Sequence, residues 1–429
     1  MNLSDTVFVR EFRDNWPVLL TAFLCLLFAF SAPGFSMPFM YAGVIDEFGW
    51  TREQATFLSS MKYGTGAIVA IVIGRVIDRV GVRSALLVLT TLGGIALISF
   101  LWVPNMAWYY FAGVLLGVAS PGTIVAIKVM VSRTFHASQG TAMGVAMLGT
   151  AMGATVVPLV IHPLIESYGW RVGTALMSTG IWVVAIPLLL FFYRGQGVEP
   201  AVSAAEQAPN PAGVAGVQDV KESVRELMKR KEFWFIALAV YSAALVDQAF
   251  VQHQVLFLDV DMGMDGNLVS KAVAAMGAIG ILARVLVGGI FDKLSKNGVS
   301  LMYLTLAGAS LLALGVLNPA IFAAFVVFRA VAHAAVLLDT TVLAKHTFGV
   351  KNLGILLGIF TAAVNLGFMT GPWLVARLYD TTGSYTLPFI LCFFISLFAA
   401  AILLPLKPTY WIEMCARNRA DRAARAAAR

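Results

Sequence analysis

A few charged and polar side chains sit deep inside long apolar stretches, and the chemistry open to them is holding an anion and moving a proton. Arg284 lies well inside its apolar stretch, too deep for easy snorkelling. A guanidinium matches a carboxylate through two parallel N–H donors, so Arg284 is a candidate anion anchor. The plainer role is a helix–helix hydrogen bond to backbone carbonyls or to an aspartate. Arg329 and His333 are four residues apart, hence on one helical face. Together they could orient an anion or relay a proton, or simply pack between helices. Asp247 is the candidate proton carrier, because a carboxyl crosses low dielectric at tolerable cost only in its neutral form; its alternative is a salt bridge to Arg284 or Arg329. His253, nearer the outer end of the same stretch, is read as a hydrated side chain, with proton coupling as its other role. His333 and Asn365 could satisfy the remaining oxygens of a bound anion. Lys62 and Asp339 stay ambiguous, while Lys128 can snorkel towards the inner surface.

These residues need a scaffold, and composition specifies its kind. The 429-residue chain is 59% hydrophobic and only 12% charged, whereas soluble domains are about a quarter charged. Twelve stretches near the ~20-residue spanning length recur, near 17–44, 55–76, 84–103, 107–131, 140–162, 171–193, 233–258, 269–291, 300–317, 320–344, 354–376 and 386–406. The expected fold is therefore an all-α membrane protein with twelve transmembrane helices.

The two halves repeat in register at an offset of 214 residues. Gly74 and Asp78 recur as Gly288 and Asp292; Gly140, Gly144 and Gly153 recur as Gly354, Gly358 and Gly367; Pro158 and Gly169 recur as Pro372 and Gly383. Eight glycines coincide in all, far above chance for the 22 in residues 1–215 and the 16 that follow. A parallel repeat in a membrane implies two pseudo-symmetric six-helix bundles about an axis along the membrane normal, with a solute pathway between them. The expected division is 1–195 and 233–410 for the bundles, a linker at 196–232, and a basic tail at 411–429. The stretch Glu199–Val217, rich in Ala, Pro and Gly, reads as flexible linker. After it Val220, Val224 and Leu227 lie at helical spacing among charges, as in a short interfacial helix or a plain connector.

Orientation follows the basic residues. With both termini inside, inner segments carry 22 of the 30 Lys and Arg, and the outer ones only Arg52, Arg171, Lys271 and Arg377. The net charge of +7 thus suits an anionic inner lipid surface and calls for no nucleic acid. The first span is too long for a signal peptide and lacks a cleavage site. The expected location is a cell (inner) membrane, crossed many times, by a protein that is a monomer. Cys25 and Cys392 fall in spans and Cys415 in the tail, so neither a disulfide framework nor a metal cluster is implied. A P-loop is absent, against an ATP-driven pump, as are H-E-x-x-H and G-x-S-x-G, against common zinc and serine hydrolases. No cofactor is expected.

Between the second and third spans runs Gly74-Arg75-Val76-Ile77-Asp78-Arg79-Val80-Gly81-Val82-Arg83. It resembles the G-x-L-x-D-R-x-G-R-[RK] loop of the major facilitator superfamily. Gly74 permits close helix contact, Gly81 a tight turn, and Asp78, in the same loop as Arg79 and Arg83, can accept charge-assisted hydrogen bonds from arginines and from a nearby helix N-terminus. The set is expected to latch inner helix ends in one state and release them in another. The second copy, Gly288-Gly289-Ile290-Phe291-Asp292-Lys293, is degenerate, and Val76 and Val82 depart from the pattern in the first.

Three further segments resemble the bacterial monocarboxylate-porter and oxalate/formate-antiporter relatives: Phe48-Gly49-Trp50-Thr51-Arg52, the glycine ladder from Gly140 to Gly153, and Tyr168-Gly169-Trp170-Arg171. Arg284-x-x-x-Gly288-x-x-x-Asp292 is similar to a segment of that group whose arginine binds carboxylate. The resemblance implies a secondary transporter of small organic acid anions working by proton symport and alternating access. Two features of relatives are missing: Gly280 stands where animal members place an acid, and Gly34 where they carry a first-span lysine. The oxalate-type lysine of the eleventh span is also absent, with Asn365 the notable polar residue there. Rival readings are a drug or amphipathic-solute efflux carrier of the same fold, an organic-anion exchanger, and a transporter-like receptor without turnover.

Overall fold

In a bilayer every backbone N–H and C=O must be satisfied within the segment, which makes helices the natural solution for so apolar a chain. The computed structural model describes residues 7–135, 139–192, 224–349 and 353–416, and all regular structure among them is helical. Most of the expected linker and the end of the tail, 417–429, lie outside the described residues, as does Val220.

Helices α1 (Glu11–Phe48), α2 (Arg52–Val80), α3 (Val82–Trp102) and α4 (Met106–Thr134) are followed by one continuous apolar run, Thr141–Phe191. That run is two helices, α5 (141–168) and α6 (170–191), broken at Gly169 with φ 77°. The second half supplies α7 (Lys231–Asp261), α8 (Gly266–Leu294), α9 (Lys296–Gly315), α10 (Pro319–Val336, continued by Asp339–Phe348), α11 (Leu353–Thr382) and α12 (Thr386–Ile402). Twelve long apolar helices result among the described residues, as the hydropathy pattern implies. A six-residue helix, Val224–Lys229, precedes α7 and buries Leu227.

Caps explain where the helices begin. Thr51 accepts from the Gln54 amide while the Gln54 side chain accepts from Thr51 N, a reciprocal box that starts α2. Asn105, Asp265 and Asn318 cap α4, α8 and α10 through their side-chain oxygens. The repeat is visible in the turns: Gly49 and Gly263 have φ of 64° and 63°, and Gly169 and Gly383 have 77° and 67°. Gly81 (φ 82°) corresponds to Ser295, the only non-glycine with positive φ among the described residues. The degenerate second motif therefore keeps the turn after losing its glycine, and the Ser295 hydroxyl is tied to His346 Nδ1 at 2.9 Å.

The halves meet along α2–α11 and α5–α8, tightly at one level and not at another. A Cβ at Gly64 would lie 2.8 Å from Met369 Sδ of α11, and one at Gly277 would lie 2.6 Å from the Ala154 backbone of α5. Towards the face bearing the motif loops, a Cβ at Gly74, Gly144, Gly288, Gly354 or Gly358 would meet nothing within 4 Å. This corrects the reading of Gly74 as a close-contact glycine: a Cβ there would meet open space, and among the described residues the hydrogen bonds and ion pairs that join the two halves lie towards the opposite face. The basic face is open and the opposite face shut.

Candidate functional site

Three helices of the second half bring the intramembrane charges together. Asp247 of α7 is fully buried; one carboxylate oxygen accepts from Arg329 Nη1 at 2.9 Å and the other lies 2.9 Å from His333 Nδ1. Arg329, only 2% exposed, also stands over the Phe250 ring at 5.3 Å. Of the partners open to Asp247, the fold selects Arg329. Two opposite charges so placed largely cancel in low dielectric. A carboxylate only accepts, so His333 Nδ1 carries the hydrogen of that contact.

Arg284 is treated differently. It lines a cavity of about 40 Å³ with Arg329, His333, Gln254, and with Phe35 and Ala154 from the first half. Its guanidinium forms no ion pair or hydrogen bond among the described residues, and its Nε is buried without a partner. The helix–helix hydrogen bond open to Arg284 in the sequence is not made. A second cation, Lys62 of α2, is 3% exposed and also lacks an ion pair among the described residues. Its ammonium lies 3.3 Å from where a Cβ on Gly34 would stand. The space left by the missing first-span side chain thus holds a lysine from the second span. Asn365 lies part-buried on α11, and the cavity wall does not include it.

His253 is the clearest correction. It is fully buried rather than hydrated, and both ring nitrogens are engaged: Nε2 with the Pro372 carbonyl and Nδ1 with the Tyr385 hydroxyl, each at 2.9 Å. The seven-residue step from Gln254 to Asp261 carries the helix on past His253 to a closed seam, which removes the water expected there.

That seam holds charged residues whose types alone assign them no role. Arg52 Nη1 lies 2.6 Å from Asp261 and donates to Tyr385 at 2.9 Å, with its Cζ 3.9 Å from the Tyr379 ring centre. Asp380 of α11 accepts from the Arg52 and Glu53 amides at 3.1 and 2.8 Å, capping α2 across the interface. Glu53 accepts from Arg377 and Trp373. The Phe-Gly-Trp-Thr-Arg segment contained the signal, since it sets Arg52 at the first turn of α2. Charge-assisted hydrogen bonds contribute roughly 1.5–3 kcal/mol each. Arg52→Ala is therefore expected to move the closed–open balance of this face about tenfold or more towards open. Spin labels at Pro104 and Leu317, in turns of opposite halves on this face, read it as a longer distance; an unchanged distance rejects the seam as a gate.

On the basic face Asp78 pairs with Arg133 of α4 at 3.0 Å, and Arg83 donates to the Leu189 and Leu190 carbonyls that end α6. These contacts tie helix ends within the first half. Arg79 is exposed, as are Asp292 and Lys293, and the Asp292 backbone carbonyl accepts from Trp411.

A family model described as Major Facilitator Superfamily matches residues 18–320. The chain is 24% identical over 319 residues to monocarboxylate transporter 12 of Homo sapiens, covering 69% of this chain and 61% of that one. It is 23% identical over 276 residues to the multi-drug resistance efflux pump PmrA of Streptococcus pneumoniae, covering 61% and 63%. The chain thus spans less than two thirds of either relative. Among solved structures, a bacterial homologue of the human lysosomal transporter Spinster, described as inward-facing and unoccupied, aligns with TM-score 0.72 at 16% identity over 90% of this chain and 95% of that one.

Proposed function

Because this chain belongs to the Major Facilitator Superfamily and so is a membrane transporter of small molecules rather than an enzyme, we propose that it carries small monocarboxylate anions by proton symport with alternating access. The observation that supports this reading is charge balance. Asp247 cancels Arg329, and Arg284 is left facing the cavity without a counter-ion. An anion entering low dielectric must exchange its hydration for a cation and hydrogen bonds, and Arg284 offers both through one planar group. His333, which lines the same cavity, would meet a second substrate oxygen. An amphipathic cation would need a free acid in the same place, and both Asp247 oxygens are engaged.

In this reading 1–195 and 233–410 are the two moving bundles, 196–232 the linker and 411–429 a tail on the inner surface, with both termini cytoplasmic. The open basic face is then the inner one. Asp78 with Arg133, Arg83 with the end of α6, and the second-motif residues Asp292 and Lys293 stiffen the inner rims that close on each other in the outward-facing state.

Uptake into proteoliposomes tests it, with radiolabelled acetate, lactate and benzoate as probes. Uptake is expected to quicken as outside pH falls, because anion and proton cross together with little net charge. Uptake of an organic cation with no carboxylate uptake overturns the substrate class. Carboxylate uptake that is electrogenic and independent of pH overturns the proton coupling.

A further inference from the structure

A chain of three hydrogen bonds joins a buried imidazole to the ion pairs that shut the outer face. Pro372 offers a carbonyl, which only accepts, so His253 Nε2 carries the hydrogen of that 2.9 Å contact. Arg52 has donors alone, so the Tyr385 oxygen accepts from Arg52 Nη1 at 2.9 Å. With that lone pair used, the Tyr385 hydroxyl hydrogen is free to point at His253 Nδ1, also at 2.9 Å. The arrangement is complete when the imidazole is neutral, with Nδ1 as acceptor. One face of the ring belongs to α7, the carbonyl to α11, the hydroxyl to the start of α12, and the arginine to α2 of the other half.

We propose that His253 Nδ1 is the proton site that controls the outer seam: neutral, it holds Tyr385 and through it Arg52 in the closed position, and protonated, it releases them. A proton on Nδ1 turns the acceptor into a donor facing the Tyr385 hydrogen, so one of the two hydrogens must turn away. It also sets an imidazolium near the Arg52 guanidinium with one phenolic oxygen between them. The repulsion falls on the residue that pairs with Asp261 and lies beneath the Asp380 cap. The step is a proton transfer: a hydronium ion of the outer water gives up one O–H bond, an N–H bond forms at Nδ1, water leaves, and the charge stays on the ring. Because protonation favours the open seam, opening must in turn favour protonation.

The other charged and titratable groups around the ring are accounted for. Asp261 and Asp380 face Arg52, Tyr379 donates to Asp261, and Glu53 is held by Arg377 and Trp373. On α7 itself Asp247 is committed to Arg329 and His333. The other imidazole at this face is His162 of α5, 3.6 Å from Glu166 and beside Asp259 in a separate pocket. The inference rests on the proton-coupled reading above, but its readout needs no substrate.

The test follows outer-face opening by the distance between spin labels at Pro104 and Leu317 in the full-length protein, without ligand, from about pH 8 to about pH 5, the range in which histidine titrates. In the wild type the open-to-closed ratio should rise on the order of tenfold as pH falls. His253→Gln, whose amide can still donate to Pro372 and accept from Tyr385, should stay closed across the range. Tyr385→Phe removes the link and should lose the pH response while opening more at every pH. His162→Gln should respond as the wild type does. A full response in His253→Gln, or its loss in His162→Gln alone, overturns the proposal, as does a wild type whose distance does not change with pH. If the seam responds as expected but acetate, lactate and benzoate are not transported, the substrate reading falls and the proton gate stands.

Discussion

Arg284→Ala is expected to abolish carboxylate uptake, with a loss of a hundredfold or more, while leaving the fold intact. The side chain makes no hydrogen bond or ion pair among the described residues, so its removal breaks no polar contact within the bundle. In the proposed role it would remove the cation that replaces hydration around the anion, and each charge-assisted hydrogen bond lost there is worth roughly 1.5–3 kcal/mol. Arg284→Lys keeps the charge and loses the fork, so it should still weaken binding by about tenfold. Uptake of labelled acetate, lactate and benzoate, read beside thermal unfolding, separates the two effects. Wild-type-like uptake by Arg284→Ala removes Arg284 as the anchor. Unfolding at a much lower temperature would mean that it is a packing residue instead.

The opposite result is expected at Asp247. Its carboxylate is fully buried and holds both Arg329 and His333. Asp247→Ala leaves Arg329, itself 2% exposed, as an uncompensated charge in low dielectric, and breaking such a buried pair costs about 3–5 kcal/mol. The purified variant should therefore unfold well below the wild type. The double variant Asp247→Ala/Arg329→Met should recover most of the loss, since no charge is then left unpaired. A single variant as stable as the wild type would show that Arg329 finds another partner. The two arginines differ in their partners: Arg329 is neutralised by Asp247, and Arg284 has no counter-ion among the described residues.

Much of the architecture follows from residue order alone. Apolar stretches of spanning length dictate helices, because a helix alone satisfies all its backbone hydrogen bonds within one segment in lipid. The 214-residue echo extends to the turns, where Gly49 and Gly263, and Gly169 and Gly383, share a left-handed backbone. The depth of Arg284 marked it as the residue to watch, since a cation there is costly unless used. One run hid its break: α5 and α6 form a single apolar stretch, and only the φ of Gly169 parts them.

What the sequence could not decide was pairing between helices. Asp247 had two arginines within plausible reach, 37 and 82 residues away in the chain, and the choice depends on the rotation of α7, α8 and α10 about their axes. A few tens of degrees exchange one partner for the other, and hydropathy does not record that angle. The same reason explains His253, read as hydrated because it lies near a helix end, and in fact enclosed by Tyr385 and Pro372 from helices more than a hundred residues on. It explains Lys62 as well, whose ammonium fills the gap at Gly34 only once α1 and α2 are packed. Residue types determined which chemistry was available to this protein. Tertiary packing decided which charges cancel, which cations are left without a counter-ion among the described residues, and which face is shut, because those outcomes depend on distances of a few ångströms between segments far apart in the chain.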